Sequence, residues 1–253
     1  MADQAEGLRQ LFARRCPSVL PILIPGGGQG ALVANLAIAA ARSGREVLVV
    51  DGTPGEVAAA TGLRARYELA HVFAGDKRLD QITLEPCERV RIVPAARMLR
   101  DTGRLEPWLG QLVQRCESVP GLVIVYQRNA TEALDGDLLV TASPAREDLT
   151  RTYAELKRMK HHSRGRLRLI VARTVDEEDA RQVHRALDET AQRYLGVAID
   201  WAGFVPHDAP LRRAEASGRP VFDIDTAAPS ARALLGLGRA LDQWQLPRLA
   251  VTH

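Results

Sequence analysis

Apolar residues along the chain gather into short unbroken runs bounded by breakers, and between those runs they recur at three- and four-residue spacing. The runs at 19–24, 46–51, 90–93, 122–126, 138–141, 167–172 and 201–205 predict strands. Most of them are continuously apolar rather than alternating. That suits strands covered on both faces, and hence a mostly parallel sheet between two helical layers. Helical periodicity marks 31–44, 106–116, 145–162, 177–195 and, near the end, 230–245. Strand followed by helix, repeated, predicts a doubly wound α/β domain. One domain accounts for all 253 residues. Residues 1–16 stand apart, separated from the first strand by Pro17, and read as an N-terminal helical extension to an α/β domain at 17–253.

Composition narrows the function classes. Hydrophobic residues make up 46% and charged residues 26%, ordinary for a soluble protein, and no apolar run approaches the roughly 18–20 residues of a membrane span. The first ten residues are polar with no apolar stretch, so a cytoplasmic location is expected. Cys16, Cys87 and Cys116 are scattered, which argues for reduced thiols over a zinc site or a disulfide framework. The net charge is only +3, lysine occurs only at 77, 157 and 160, and aromatics are 4%, so specific nucleic-acid binding is not expected. His161 and His162 adjoin Lys160 and Arg164 at a helix end, where cations complement the dipole, which is a simpler account than a metal site. Acid pairs at 147–148 and 177–178 sit at helix starts for the same electrostatic reason. His207 and Asp208 have no serine or cysteine in a recognisable nucleophile motif.

The candidate chemistry lies in "PILIPGGGQGALVANLA", a strand, a glycine loop and a helix start. Three readings fit it. A phosphate loop wraps phosphates in backbone amides, neutralises them with lysine and holds magnesium with a hydroxyl. Here the lysine position is Gln29 if Gly28 closes the loop, or Ala31 if Gly30 does. A dinucleotide site fits Gly26, Gly28 and Ala31 as G-x-G-x-x-A, with Asp51 as ribose acid 20 residues on, closing "VLVVD". The third reading is a tight strand-to-helix turn that needs glycine and binds nothing. The residues Gly26, Gly27, Gly28, Gln29, Gly30 and Asp51 are the candidate cofactor-binding set in any nucleotide reading.

Beyond the loop, the sequence resembles the MinD/ParA class of P-loop ATPases, and within it the flagellar-number regulators FlhG/FleN. The resemblance runs nearly the full length, through "NLAIAAARSGREVLVVD", "VRIVPAA", "DLLVTASPAREDLTRTYAELKRM" and "LGVAIDWAGFVPHDAPLRRAEASGRPV". Its most specific part is "DQAEGLR", which matches the D-Q-A-x-x-L-R motif those regulators carry ahead of the ATPase core. The resemblance implies an activator helix that docks on a signal-recognition-type flagellar GTPase, with Asp3, Gln4, Ala5, Leu8 and Arg9 as contacts. Helical spacing of Ala5, Leu8 and Phe12 and an N-cap at Asp3 are compatible with such a helix, although Gly7 costs it about 1 kcal/mol. Further partners would be other flagellar regulators or basal-body proteins, at the cell pole or flagellar base.

The chain departs from the family where the family does its chemistry. Both loop lysines are missing, the D-A-D after the second strand becomes Asp51-Gly52-Thr53, and Tyr126 and Gln127 stand where a magnesium-linked acid is expected. Phosphoryl transfer depends on electrostatic positioning by such groups, so negligible hydrolysis is expected. The expectation is a pseudo-ATPase without a required cofactor, retaining at most weak ATP or ADP affinity through backbone amides, and a monomer. A residual ATPase and an NAD-type protein are the alternatives. The residues after the last helix, "LPRLAVTH", are short and weakly basic for an interfacial anchor, so membrane association is not expected.

Overall fold

In the computed structural model, residues 16–101, 106–128, 136–159 and 165–249 are described. The motif Asp3 to Arg9 lies outside the described residues, as do His161 and His162.

The first strand, β1 (Ser18–Leu23), leads through the glycine loop into α1 (Gly30–Arg42) and back to β2 (Val47–Asp51). Two short helices follow, α2 (Glu56–Ala59) and α3 (Leu69–Phe73), then strands β3 (Leu84–Cys87) and β4 (Val90–Pro94). Helices α4 (Ala96–Asp101) and α5 (Glu106–Gln114) precede β5 (Leu122–Gln127). The second half runs β6 (Leu138–Ala142), α6 (Arg146–Met159), β7 (Leu167–Thr174), α7 (Glu177–Leu195), β8 (Ile199–Pro206), α8 (Ala209–Ser217) and α9 (Pro229–Ala240). The eight strands form one sheet in the order β3-β4-β2-β5-β1-β6-β7-β8, and only the β3–β4 pair is antiparallel.

The continuous apolar runs have the meaning expected of them. Leu20, Ile22 and Ile24 of the first run feed a core under α1 and α9, while Val19 feeds a second under α5, on the other side of the sheet. Leu23 joins a third core with Val140 and Leu169, beneath α6 and α7. The sheet is therefore covered on both faces, as parallel sheets require. Helix α7 begins on an N-cap bond from the Asp179 amide to Asp176 and stops at Gly196, at φ 68°.

Helices α2, α3, α4 and α8 are not among those the sequence pattern predicts, and three further details differ from it. Strand β3 was not expected; it is a short edge strand with alternating exposure and contains Pro86, and an edge tolerates both. Helix α1 stops at Arg42, short of Gly44. The last predicted helix breaks at Ala240 into a 3-10 turn, Leu241–Gln243, although Ala231, Leu234 and Leu237 face the core. Among the described residues, no helix is long and apolar enough to cross a membrane, and no cluster of His, Cys, Asp and Glu has the makings of a metal site. The three cysteines are free thiols.

Candidate functional site

At the C-terminal end of β1 the Gly27 amide donates to the Ile24 carbonyl (3.0 Å), closing a turn that Gly27 and Gly28 complete at φ 66° and 67°. A side chain at either position would be strained in this left-handed backbone, so the loop needs these glycines for its shape alone. Gln29 is the N-cap of α1, and its carbonyl accepts from Leu32 and Val33. No described residue accepts a hydrogen bond from the amides of Gly28, Gly30 or Ala31. The loop thus keeps the raw material of an anion cradle, backbone N–H groups at the positive end of a helix.

What surrounds that cradle is protein. A Cβ on Gly26 would lie 2.4 Å from the Asp148 carboxylate, which turns back from the first turn of α6 and also accepts from Ser143. A Cβ on Gly27 would lie 3.2 Å from the Arg128 guanidinium, which reaches over the loop from just beyond β5. A Cβ on Gly30 would lie 2.4 Å from the carbonyl of Glu56, the first residue of α2. The fourth neighbour, Arg173, donates to the Gly28 carbonyl (3.1 Å) from a left-handed residue at φ 60°. Two carboxylates and two guanidiniums therefore flank the loop, and their formal charges cancel. A polyphosphate entering here finds no net positive charge to compensate it.

Glu56 and Arg128 are paired to each other, and Glu56 also accepts from the Tyr126 hydroxyl (2.7 Å). Burial, then Glu56 itself, pushes the Tyr126 phenol far above its ordinary value, and the same carboxylate raises the Arg128 guanidinium. Sequence reasoning gave none of these three residues a role at the loop beyond noting Tyr126 as a departure. It placed Asp148 among helix-start acids, and Asp148 does lie in the first turn of α6. Its second role, against Gly26, leaves no trace in local spacing.

Gln29, at the lysine position in one alignment, is 5% exposed. It faces a small cavity shared with Leu32, Asn35, Arg173, Val205 and Glu215, and its Oε1 has no partner among the described residues.

Asp51 serves its own chain. One carboxylate oxygen accepts from the Thr53 amide (2.9 Å) and hydroxyl (2.6 Å), and the other accepts from the Val57 amide (3.1 Å). It is wholly buried, and desolvation raises its carboxyl above the ordinary value while those hydrogen bonds pull the other way. Strand order also separates it from the loop: β5 lies between β1 and β2, whereas a dinucleotide fold sets its first two strands side by side. At about 4.8 Å per strand, Asp51 stands some two strand widths from the end of β1. Both observations count against Asp51 as a ribose ligand. His207 pairs with Glu215 (3.0 Å), and Asp208 caps α8 and accepts from Ser230.

No family model matches the sequence. The chain is 27% identical over 241 aligned residues to the antiactivator FleN of Pseudomonas aeruginosa, covering 88% of this chain and 84% of FleN. Its fold matches the septum site-determining protein MinD of Pyrococcus horikoshii, solved with Mg-ADP, at a TM-score of 0.64 and 19% identity, over 90% of this chain and 96% of MinD. A ParA family ATPase from Chlorobium tepidum matches at a TM-score of 0.63 and 19% identity, over 90% and 99% of the two chains. The sheet order and the glycine loop at the end of a central strand give this chain a P-loop NTPase fold of the MinD/ParA type, and along nearly its whole length its sequence is similar to FleN.

Proposed function

We propose that the protein is a regulator of flagellar number or placement that acts by binding rather than by ATP turnover. The observation that carries this reading is a glycine loop without lysine, ringed by four mutually compensating protein charges, in a chain similar to an antiactivator. Hydrolysis needs groups that stabilise charge developing on the phosphates. Here Glu56 and Arg128 are engaged with each other, Asp148 with Ser143 and Arg173 with the Gly28 carbonyl.

In this reading Asp3, Gln4, Ala5, Leu8 and Arg9 engage a signal-recognition-type flagellar GTPase and stimulate it, while the folded domain meets other flagellar regulators or basal-body proteins. The protein works in the cytoplasm, at the pole or flagellar base, as a monomer, and contacts neither specific nucleic acid nor membrane. The decisive experiment compares GTPase stimulation by the full chain and by a chain lacking residues 1–16, with ATP hydrolysis measured in parallel. Stimulation that disappears on truncation, with no ATP hydrolysed, is the expected result. Equal stimulation by the truncated chain defeats the assignment.

A second reading keeps nucleotide binding without hydrolysis. The free amides of Gly28 and Gly30 favour it, as does the Mg-ADP in the matching Pyrococcus horikoshii structure. Calorimetry with ATP and magnesium separates the two, since micromolar affinity would require the loop neighbours to move aside.

A further inference from the structure

In nucleotide switches a bound γ-phosphate orders the segments around it, and those segments loosen when it leaves. We propose that Glu56, Tyr126 and Arg128 are a built-in replacement for that ligand: a latch that ties α2 and the end of β5 to the glycine loop without nucleotide. The proposal rests on the reading of this loop as one that no longer turns over ATP.

The three residues come from separate parts of the chain and meet at one point. Glu56 opens α2, a helix of four residues that cannot persist on its own hydrogen bonds. Its N-cap, Gly55, is left-handed at φ 87°, so the chain enters α2 through a permissive joint. What fixes α2 is its surroundings. The Glu56 carbonyl abuts Gly30 at the start of α1, and the Glu56 carboxylate is shared between the Tyr126 hydroxyl and the Arg128 guanidinium. Tyr126 is wholly buried and serves as a fixed post. Arg128 is half exposed, and its guanidinium lies across Gly27, 3.2 Å from where a Cβ would sit. Glu56 therefore holds α2 to the loop at Gly30 through its backbone, and to β5 and Gly27 through its side chain.

An ordinary exposed ion pair does none of this and is worth little. A latch makes a different prediction, because its loss frees two segments remote in sequence together. Hydrogen exchange followed by mass spectrometry on the intact chain is the test, comparing wild type, Glu56→Gln, Arg128→Gln and the double variant. The expected result is an increase of about tenfold in exchange at both 24–30 and 52–60, with 138–142 and 167–174 unchanged. Because the two side chains act on one contact, the double variant should match the singles. Exchange that rises in only one segment, that does not rise, or that multiplies in the double variant overturns the latch. Tyr126→Phe, which keeps the ring in the core, should reproduce part of the increase if the hydroxyl takes part, and none if Tyr126 only fills space. ATP hydrolysis by the wild-type chain would defeat the proposed function instead, and the exchange comparison would still decide the latch on its own terms.

Discussion

Gly30→Ala probes the closest backbone approach at the loop. The new methyl carbon would lie 2.4 Å from both the carbonyl carbon and oxygen of Glu56 and 2.7 Å from its Cβ. These atoms are backbone or directly attached to it, so no rotamer change relieves the contact, and α2 must move bodily. Overpacking of a buried site costs up to about 3 kcal/mol. Alanine recovers up to about 1 kcal/mol of this by restricting the unfolded chain. The net loss is about 2 kcal/mol, which for a chain of this size lowers Tm by about 4–8 °C. Urea unfolding at 25 °C and differential scanning calorimetry measure the two quantities. Gly28→Ala is the matched control: nothing lies within 4 Å of its Cβ, but φ is 67°, so it carries backbone strain of about 1–2 kcal/mol and no clash. If Gly30→Ala unfolds within about 0.5 kcal/mol of wild type, α2 does not rest on the start of α1 and the argument fails.

Asp137 is 1% exposed and bound by the Arg168 guanidinium (2.6 Å) and the Gln245 amide (3.0 Å), so Asp137→Ala leaves a mostly buried cation with only the longer Asp200 contact (4.0 Å) and the Trp244 ring, and should cost about 3 kcal/mol in urea unfolding. Asp51 has a folded value above the ordinary 3.8, so the folded chain holds its proton more tightly than the unfolded chain does. Its contribution to stability is complete below that ordinary value and is lost as the pH rises through the raised one. Stability profiles of wild type and Asp51→Asn should differ in slope over that window, with the variant flatter, and parallel profiles would contradict this. The Tyr126 phenol, held protonated by burial and Glu56, should stay silent in an ultraviolet titration until the alkaline chain unfolds. Tyr126→Phe should remove that late absorbance change and no earlier one.

The strands were legible because burial on both faces writes itself as an unbroken apolar run; β1, β5 and β6 are examples. Helix α7 was legible because its apolar positions keep a 3.6 period over nineteen residues. Short elements were not, since a four-residue α2 has too few positions to show any period. At the loop, the sequence revealed which groups were missing and could not reveal what had replaced them. Glu56, Arg128, Asp148 and Arg173 come from four separate parts of the chain, and only the strand order brings them round Gly26 to Gly30. The same order weakens the dinucleotide reading, which local spacing had supported, because spacing along the chain says nothing about β5 lying between β1 and β2.

That strand order also sets a timetable for synthesis. Of the sheet's eight strands, the first to leave the ribosome, β1, is flanked in the finished sheet by β5 and β6, whose residues begin at Leu122 and Leu138. At about 5–20 residues per second, β1 waits on the order of 5–20 s for its first neighbour. During that interval Val19 to Ile24 and the apolar side of α1 belong to an unfinished nucleus with two open edges. A nascent chain of this design is exposed to chaperones and to other nascent chains until β5 and β6 emerge, and its glycine loop takes shape only after Arg128, Asp148 and Arg173 have been made.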